Sequence, residues 1–327
     1  MYRLLIIYFL FLISFSIAGQ SGRTSFDYLL LPHSARSAAL GGNNISAVET
    51  DISLVYDNPA FLGYEMDKVL HAGYMMYVSD ISVGNVAFAK QLNDRGSIGI
   101  GVLYGNYGKM KETTEENEVI GDLTANDICA NIFFAHDLTE KLRGGITGKF
   151  FYSNYHHNTA IGAGVDLGLS YYDEDRKLSF GLVGKNLGRQ IKAYEEDLAG
   201  LPWDIQFGFS KRLDKAPIRF SVTAVHLKKW KFDNYNGVED SFGKTLAKHL
   251  IIGAEILPTN NFWIALGYNG KRSSDMHLQE GNKLGGFSIG AGLWVKSFSF
   301  SCAVGKYNVS ATSFLFSVSK SFTEPQL

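Results

Sequence analysis

The stretch Thr159-Ala160-Ile161-Gly162-Ala163-Gly164-Val165-Asp166-Leu167-Gly168-Leu169-Ser170-Tyr171-Tyr172 decides the fold. Ile161, Ala163, Val165, Leu167, Leu169 and Tyr171 alternate with Gly162, Gly164, Asp166, Gly168 and Ser170. A period of two residues sends the apolar side chains to one face of a strand and the small or polar ones to the other. In a soluble sheet the apolar face covers a core and the polar face meets water. Here the polar face carries glycines and a single carboxylate, the pattern of a transmembrane barrel that is apolar outside and polar within.

Outward from that segment the alternation recurs to the end of the chain. Trp203, Ile205, Phe207 and Phe209 oppose Asp204, Gln206, Gly208 and Ser210, and Phe314, Phe316 and Val318 oppose Ser313, Ser317 and Ser319. From residue 69 onward about fourteen strand-like stretches follow, each near the roughly 9 to 11 residues that cross a bilayer at a tilt. Their connections alternate in length. Asn93-Asp94-Arg95, Leu138-Thr139-Glu140, Asp173-Glu174-Asp175-Arg176, Asp214-Lys215-Ala216, Pro258-Thr259-Asn260 and the join near Lys296 are short and polar, whereas 108 to 124, 187 to 202, 229 to 245 and 270 to 283 are long. Outer-membrane barrels have short periplasmic turns, long external loops and both chain ends periplasmic, which an even strand number satisfies. Tyr74, Tyr77, Tyr104, Tyr107, Tyr152, Tyr155, Tyr171, Tyr172, Trp203 and Tyr268 fall near strand ends, where rings sit at the headgroup level. The fold class is therefore all-β: a transmembrane antiparallel β-barrel of about fourteen strands spanning 69 to 327.

Composition agrees. The 327 residues include 35 Gly, 17 Tyr and 23 Phe but only 6 Pro, as suits many paired strands with crowded interiors. The 31 basic and 32 acidic side chains nearly cancel, so no clustered basic excess speaks for nucleic acid. Arg3 ahead of an apolar run over 4 to 17, then Ser16-Ile17-Ala18, reads as a signal peptide over 1 to 18. Beyond it no run reaches the roughly 18 apolar residues of a spanning helix, so insertion must be by strands. Cys129 falls on the polar face with Asn131 and Cys302 on the apolar face with Phe298 and Phe300, which makes them packing residues rather than a pair.

Residues 19 to 68 do not pattern as wall. The stretches 35 to 40 and 51 to 62 are short and irregular, Gly41-Gly42 lies between them, and Pro59 breaks any helix. This is read as an N-terminal periplasmic plug that folds into or under the barrel.

Candidate chemistry is sparse. Gly286-Phe287-Ser288-Ile289-Gly290 matches a nucleophile elbow, but no helix follows and Ser288 takes a polar slot in a strand. The Gly-x-Gly pairs at 99 and 101, 162 and 164, and 290 and 292 lack the helix of a dinucleotide site and read as small inward residues. His156-His157 point to opposite strand faces, and no histidine spacing fits zinc. Asp166, Lys185, Asp204 and Glu255 read as an internal polar network. No catalytic residue, metal or cofactor is expected. The external loops are the better candidates for partner binding: an acid-rich one with Glu112, Glu115 and Glu116, and the basic, aromatic Lys228-Lys229-Trp230-Lys231.

Two stretches carry a family likeness: Leu31-Pro32-His33-Ser34-Ala35-Arg36-Ser37-Ala38-Ala39-Leu40-Gly41-Gly42 and Asp51-Ile52-Ser53-Leu54-Val55-Tyr56-Asp57-Asn58-Pro59-Ala60-Phe61-Leu62. They resemble the PorV/PorQ family of the type IX secretion system, within the FadL-like barrels whose periplasmic hatch also carries Asn-Pro-Ala. The opening Gly22-Arg23-Thr24-Ser25-Phe26 looks most like the PorQ branch. The resemblance implies a barrel of Bacteroidota outer membranes that belongs to the cell-surface attachment complex. There it would hold a PorZ-like surface protein beside the PorU sortase and the PorV barrel, which link cargo to anionic lipopolysaccharide. Gly41, Gly42, Asn58, Pro59 and Ala60 match the plug motif, with a structural role. The competing expectation is a FadL-like channel for uptake of hydrophobic small molecules.

Overall fold

Alternating side chains dictate strands, and strands in hydrocarbon must leave no backbone group unpaired, which only closure achieves. The computed structural model describes residues 26–113, 118–155, 158–194, 198, 200–232, 240–276 and 284–323. Among the described residues fourteen strands form a closed barrel: β1 (Val69–Val78), β2 (Ile81–Asn93), β3 (Gly96–Thr113), β4 (Val119–Asp137), β5 (Leu142–Tyr155), β6 (Asn158–Asp173), β7 (Leu178–Lys192), β8 (Asp204–Arg212), β9 (Ile218–Ala224), β10 (Leu250–Thr259), β11 (Phe262–Asn269), β12 (Phe287–Val295), β13 (Phe298–Gly305) and β14 (Ser313–Ser321). Each pairs antiparallel with its sequence neighbour, and β1 pairs with β14 to close the ring.

The two faces divide as the alternation requires. On β6, Gly162, Gly164, Asp166, Gly168 and Ser170 are buried while Leu167 and Leu169 are exposed. Outside, Ile100, Ile132, Leu266, Ile289 and Phe316 belong to an exposed apolar belt that suits lipid. Cys129 is buried inside and Cys302 exposed outside, on opposite faces of the wall. Two rings expected at the headgroup level turn inward instead: the Tyr77 hydroxyl donates to the Tyr307 carbonyl (3.4 Å) and the Tyr107 hydroxyl to Asp127 (2.5 Å).

The six short connections marked in the sequence gather at the end where β1 begins and β14 finishes, whereas Ser79-Asp80 joins β1 to β2 at the opposite end. At the other end the expected loops are partly regular. The segment 108 to 124 is no loop but the far part of the β3–β4 hairpin, paired from Lys109 with Thr124 to Thr113 with Val119. β7 likewise runs on to Lys192. The long connections also hold two helices, α2 (Phe242–His249) and α3 (Gly270–Met276), neither of which periodicity had marked. The signal segment, Gly22 to Ser25 of the family-like opening, Glu115, Glu116 and His156-His157 lie outside the described residues.

Residues 26 to 68 fold into short pieces joined by caps. Helix α1 (Ala35–Ala39) starts at Ser34, whose side chain accepts from the Ser37 N–H. A tight turn over Ile52–Tyr56 is capped by Asp51, and a second over Pro59–Phe61 by Asn58, with proline where its missing N–H costs nothing. Gly41 and Gly42 end α1 at φ +100° and +97°, which side-chain-bearing residues rarely adopt. These pieces bond to inward positions of β2, β6, β7, β8, β9, β10, β12 and β14, so the segment lies within the cylinder. Two apolar clusters form there. One joins Phe26, Leu29, Leu54, Tyr56 and Phe61 to Phe133 and Phe151 of the wall, and the other joins Ala35, Ala39 and Leu40 to Met75, Trp263 and Leu315.

Candidate functional site

The lumen is the candidate site, and its geometry begins with the motif residues. The Asn58 amide donates to the Ile45 carbonyl (3.0 Å) and the Leu169 carbonyl of β6 (3.2 Å), while its oxygen accepts from the Ala60 N–H (3.0 Å). Pro59 and Asn58 lie directly on wall glycines: a methyl group on Gly145 would fall 2.3 Å from the Pro59 carbonyl carbon, and one on Gly168 2.2 Å from the Asn58 oxygen. The inward glycines of β5 and β6 therefore admit backbone from the N-terminal segment.

Ser288 has the same kind of role. Its hydroxyl accepts from the Gly41 N–H (3.1 Å) and donates to the Ala39 carbonyl (3.0 Å), tying the end of α1 to β12. Asn269 adds a bond to the Gly41 carbonyl at 3.2 Å. This hydroxyl, inside an unbroken strand, has its bonds committed to backbone.

An ion-pair cluster joins the segment to β9 and β10. Arg36 donates from Nε to Glu255 (2.8 Å) and stands 3.3 Å from Glu49, which Arg219 also meets at 2.6 Å. Arg219 in turn pairs with Glu255. The guanidinium of Arg36 lies 5.0 Å from the Trp263 ring centroid and 5.9 Å from that of Trp294, and the side chain is fully buried. Burial opposes its charge, but Glu255, Glu49 and Asp51 outweigh that and hold it protonated. A buried pair of this kind costs desolvation and repays it only through good geometry and further bonds.

A second polar group sits where β6 and β7 fall out of register between Val165 and Leu167. Asn186, at φ +54°, donates its N–H to Asp166 (2.7 Å), and Lys149 bridges Asp166 (2.7 Å) and the Asn186 side chain (2.8 Å). Lys185 reaches Asp57 of the N-terminal segment at 3.4 Å. Burial pushes the Asp57 carboxyl up and Lys185 opposes it. His33 is held down at about 3, first by burial and then by Lys185 and Lys149.

The expected polar network of Asp166, Lys185, Asp204 and Glu255 is thus present, each side chain turned inward and bonded. Arg36, Glu49, Lys149 and Arg219 complete it and were not anticipated. For Lys149 and Arg219 the one signal was charge at strand positions that the alternation assigns to the interior, and Arg36 and Glu49, off the strands, carried none.

The loop candidates do not converge. Glu112 sits on β3 opposite Gly121, and β3 lies nearly across the ring from β9, which leads into Lys228, Lys229, Trp230 and Lys231. Those four are exposed at the outer end. The Trp230 ring stacks on His249 of α2 at 4.8 Å, with Phe242 5.8 Å away, and Lys228 covers the Trp203 ring at 4.8 Å. Among the described residues no group of three His, Cys, Asp or Glu is arranged to hold a metal ion.

The class that fold and lumen define is the transmembrane antiparallel β-barrel with its N-terminal segment inside. Within it the fold is FadL-like. The Ralstonia pickettii toluene transporter TbuX superposes with TM-score 0.56 at 14% identity, over 90% of this chain and 100% of that one. The Pseudomonas putida toluene transporter TodX gives 0.59 at 15%, over 92% and 100%. A Pseudomonas aeruginosa FadL homologue gives 0.53 at 11%, over 94% and 100%. No protein-family model and no curated protein sequence matches the chain.

Proposed function

We propose that the chain is a non-enzymatic passage for hydrophobic small molecules across the outer membrane, with residues 19 to 68 as its plug. The carrying observation is the apolar cluster inside the barrel, where Phe26 stacks on Phe151 at 5.4 Å and Tyr56 meets Phe133 edge-on at 5.1 Å. A water-filled channel presents polar groups to its lumen, whereas here apolar rings of the wall face apolar rings of the N-terminal segment. The likeness to toluene transporters and to a FadL homologue supports the reading. Uptake of a radiolabelled alkylbenzene by cells with and without the gene tests it. Uptake that drops on deletion and returns on complementation is expected. Equal uptake in both strains sinks the reading.

A second reading is favoured by the motif stretches at 31 to 42 and 51 to 62. In it the barrel is a surface anchor of the type IX secretion attachment complex. It would hold a PorZ-like protein beside the PorU sortase and PorV barrel and support attachment of cargo to lipopolysaccharide, with Glu112 and Lys228 to Lys231 as contact residues. Pull-down from gently solubilised outer membrane should then recover a large surface protein. Recovery of the barrel alone, with other complexes intact, refutes it.

A further inference from the structure

On the outer half of the lumen a carboxylate stands ringed by hydroxyls. Asp127 of β4 accepts from the Tyr107 hydroxyl of β3 at 2.5 Å and from the Ser153 hydroxyl of β5, and Tyr194 donates to Ser153 in turn. Among the described residues no lysine or arginine is within ion-pair distance of Asp127, unlike Asp57, Asp166 and Glu255. Among the described residues this carboxylate is thus partnered by neutral donors alone.

A side chain of the N-terminal segment lies within electrostatic reach of that group. Tyr28 is 4% exposed and shares the apolar cluster of Phe26, Leu29, Phe151 and Leu201. Its hydroxyl has no hydrogen-bond partner, and Cys129, Asp127, Tyr107 and Tyr194 all act on it electrostatically. A buried hydroxyl without a partner forfeits its bonds to water, so something else must be available to bond it. The protein already houses a phenol here, an apolar ring carrying an uncharged hydroxyl. A ligand built the same way would bring a donor to Asp127 and a partner to Tyr28. A carboxylate ligand would bring a second acceptor, of like charge, to a place with no cation.

We propose that Asp127, Tyr107, Ser153 and Tyr28 form a head-group site that accepts hydrophobic molecules with an uncharged hydroxyl, such as phenols and long-chain alcohols, and rejects those with a carboxylate. This rests on the passage reading above. The head group bonds at the hydroxyl ring.

The test measures binding of 4-butylphenol, 4-butylbenzoate and butylbenzene to the purified full-length barrel in detergent, by calorimetry near neutral pH. The phenol is expected to bind at least about tenfold more tightly than the benzoate. In Asp127→Asn, shown folded by heat-modifiable migration on gels, that ratio should shrink severalfold. Should that variant not fold, Tyr28→Phe serves: it should weaken the phenol several-fold and leave butylbenzene unchanged. Benzoate binding as tightly as phenol, or a ratio untouched by Asp127→Asn, overturns the selectivity while leaving the passage reading in place. No binding of any of the three removes both.

Discussion

Single side chains in this protein bond across long stretches of sequence, and their removal should tell. Asn58 satisfies two carbonyls and one N–H at once. Asn58→Ala removes a bond from each carbonyl and the cap from the Ala60 N–H, and should cost about 2 to 3 kcal/mol. Asn58→Asp should cost more, because a carboxylate then faces two carbonyl oxygens. Protease protection of residues 26 to 68 is the measurement, and equal protection in both variants would contradict the role. His33 supplies a pH dependence. The unfolded imidazole titrates near 6.5 and the buried one near 3, so between those values the unfolded chain binds the extra proton. Its stabilising contribution is complete above about 6.5 and is lost as pH falls toward 3. Denaturation midpoints across that window should fall with pH, and His33→Leu should flatten that part of the curve. A slope identical in the variant would exclude His33 as its source.

At the scale of elements, the join between α1 and the wall is electrostatic on one side and hydroxyl-mediated on the other. Glu255→Gln leaves Arg36 and Arg219 to share Glu49 alone and should destabilise by about 3 to 5 kcal/mol. Hydrogen exchange should locate the loss in α1, and unaltered protection there would show that the cluster does not hold the helix. How far elements were legible follows from the same physics. β6 could be read off the chain, because one face meets lipid and the other the lumen along its length. The far part of β3 and β4 could not: Glu112, Glu118 and Asp122 look like a loop because above the bilayer neither face needs to be apolar. Helices α2 and α3 were hidden by their shortness. The partners of Glu255 and Ser288 were illegible for a different reason. Alternation shows that a side chain points inward, but what it meets there is set by the path of α1, more than 200 residues away in sequence.

For the whole molecule, the outward belt makes the strongest claim on the environment. Ile132, exposed near the middle of the roughly ten residues of β4 that cross toward Asp137, should tolerate arginine badly, at a cost of about 2 to 4 kcal/mol in a bilayer. Unfolding in lipid vesicles reads this, and a neutral outcome would place Ile132 off the midplane. The ring is also uneven. β3 and β4 are 18 and 19 residues long, whereas β9, β11 and β13 have 7, 8 and 8. Since about 10 residues suffice to cross, the β3–β4 side stands about 20 Å proud of the lipid surface. The barrel is therefore a tower on one flank and a low wall on the other. The crest of the tower is the β3–β4 hairpin, and α2 and α3 stand on the low flank, between β9 and β10 and between β11 and β12.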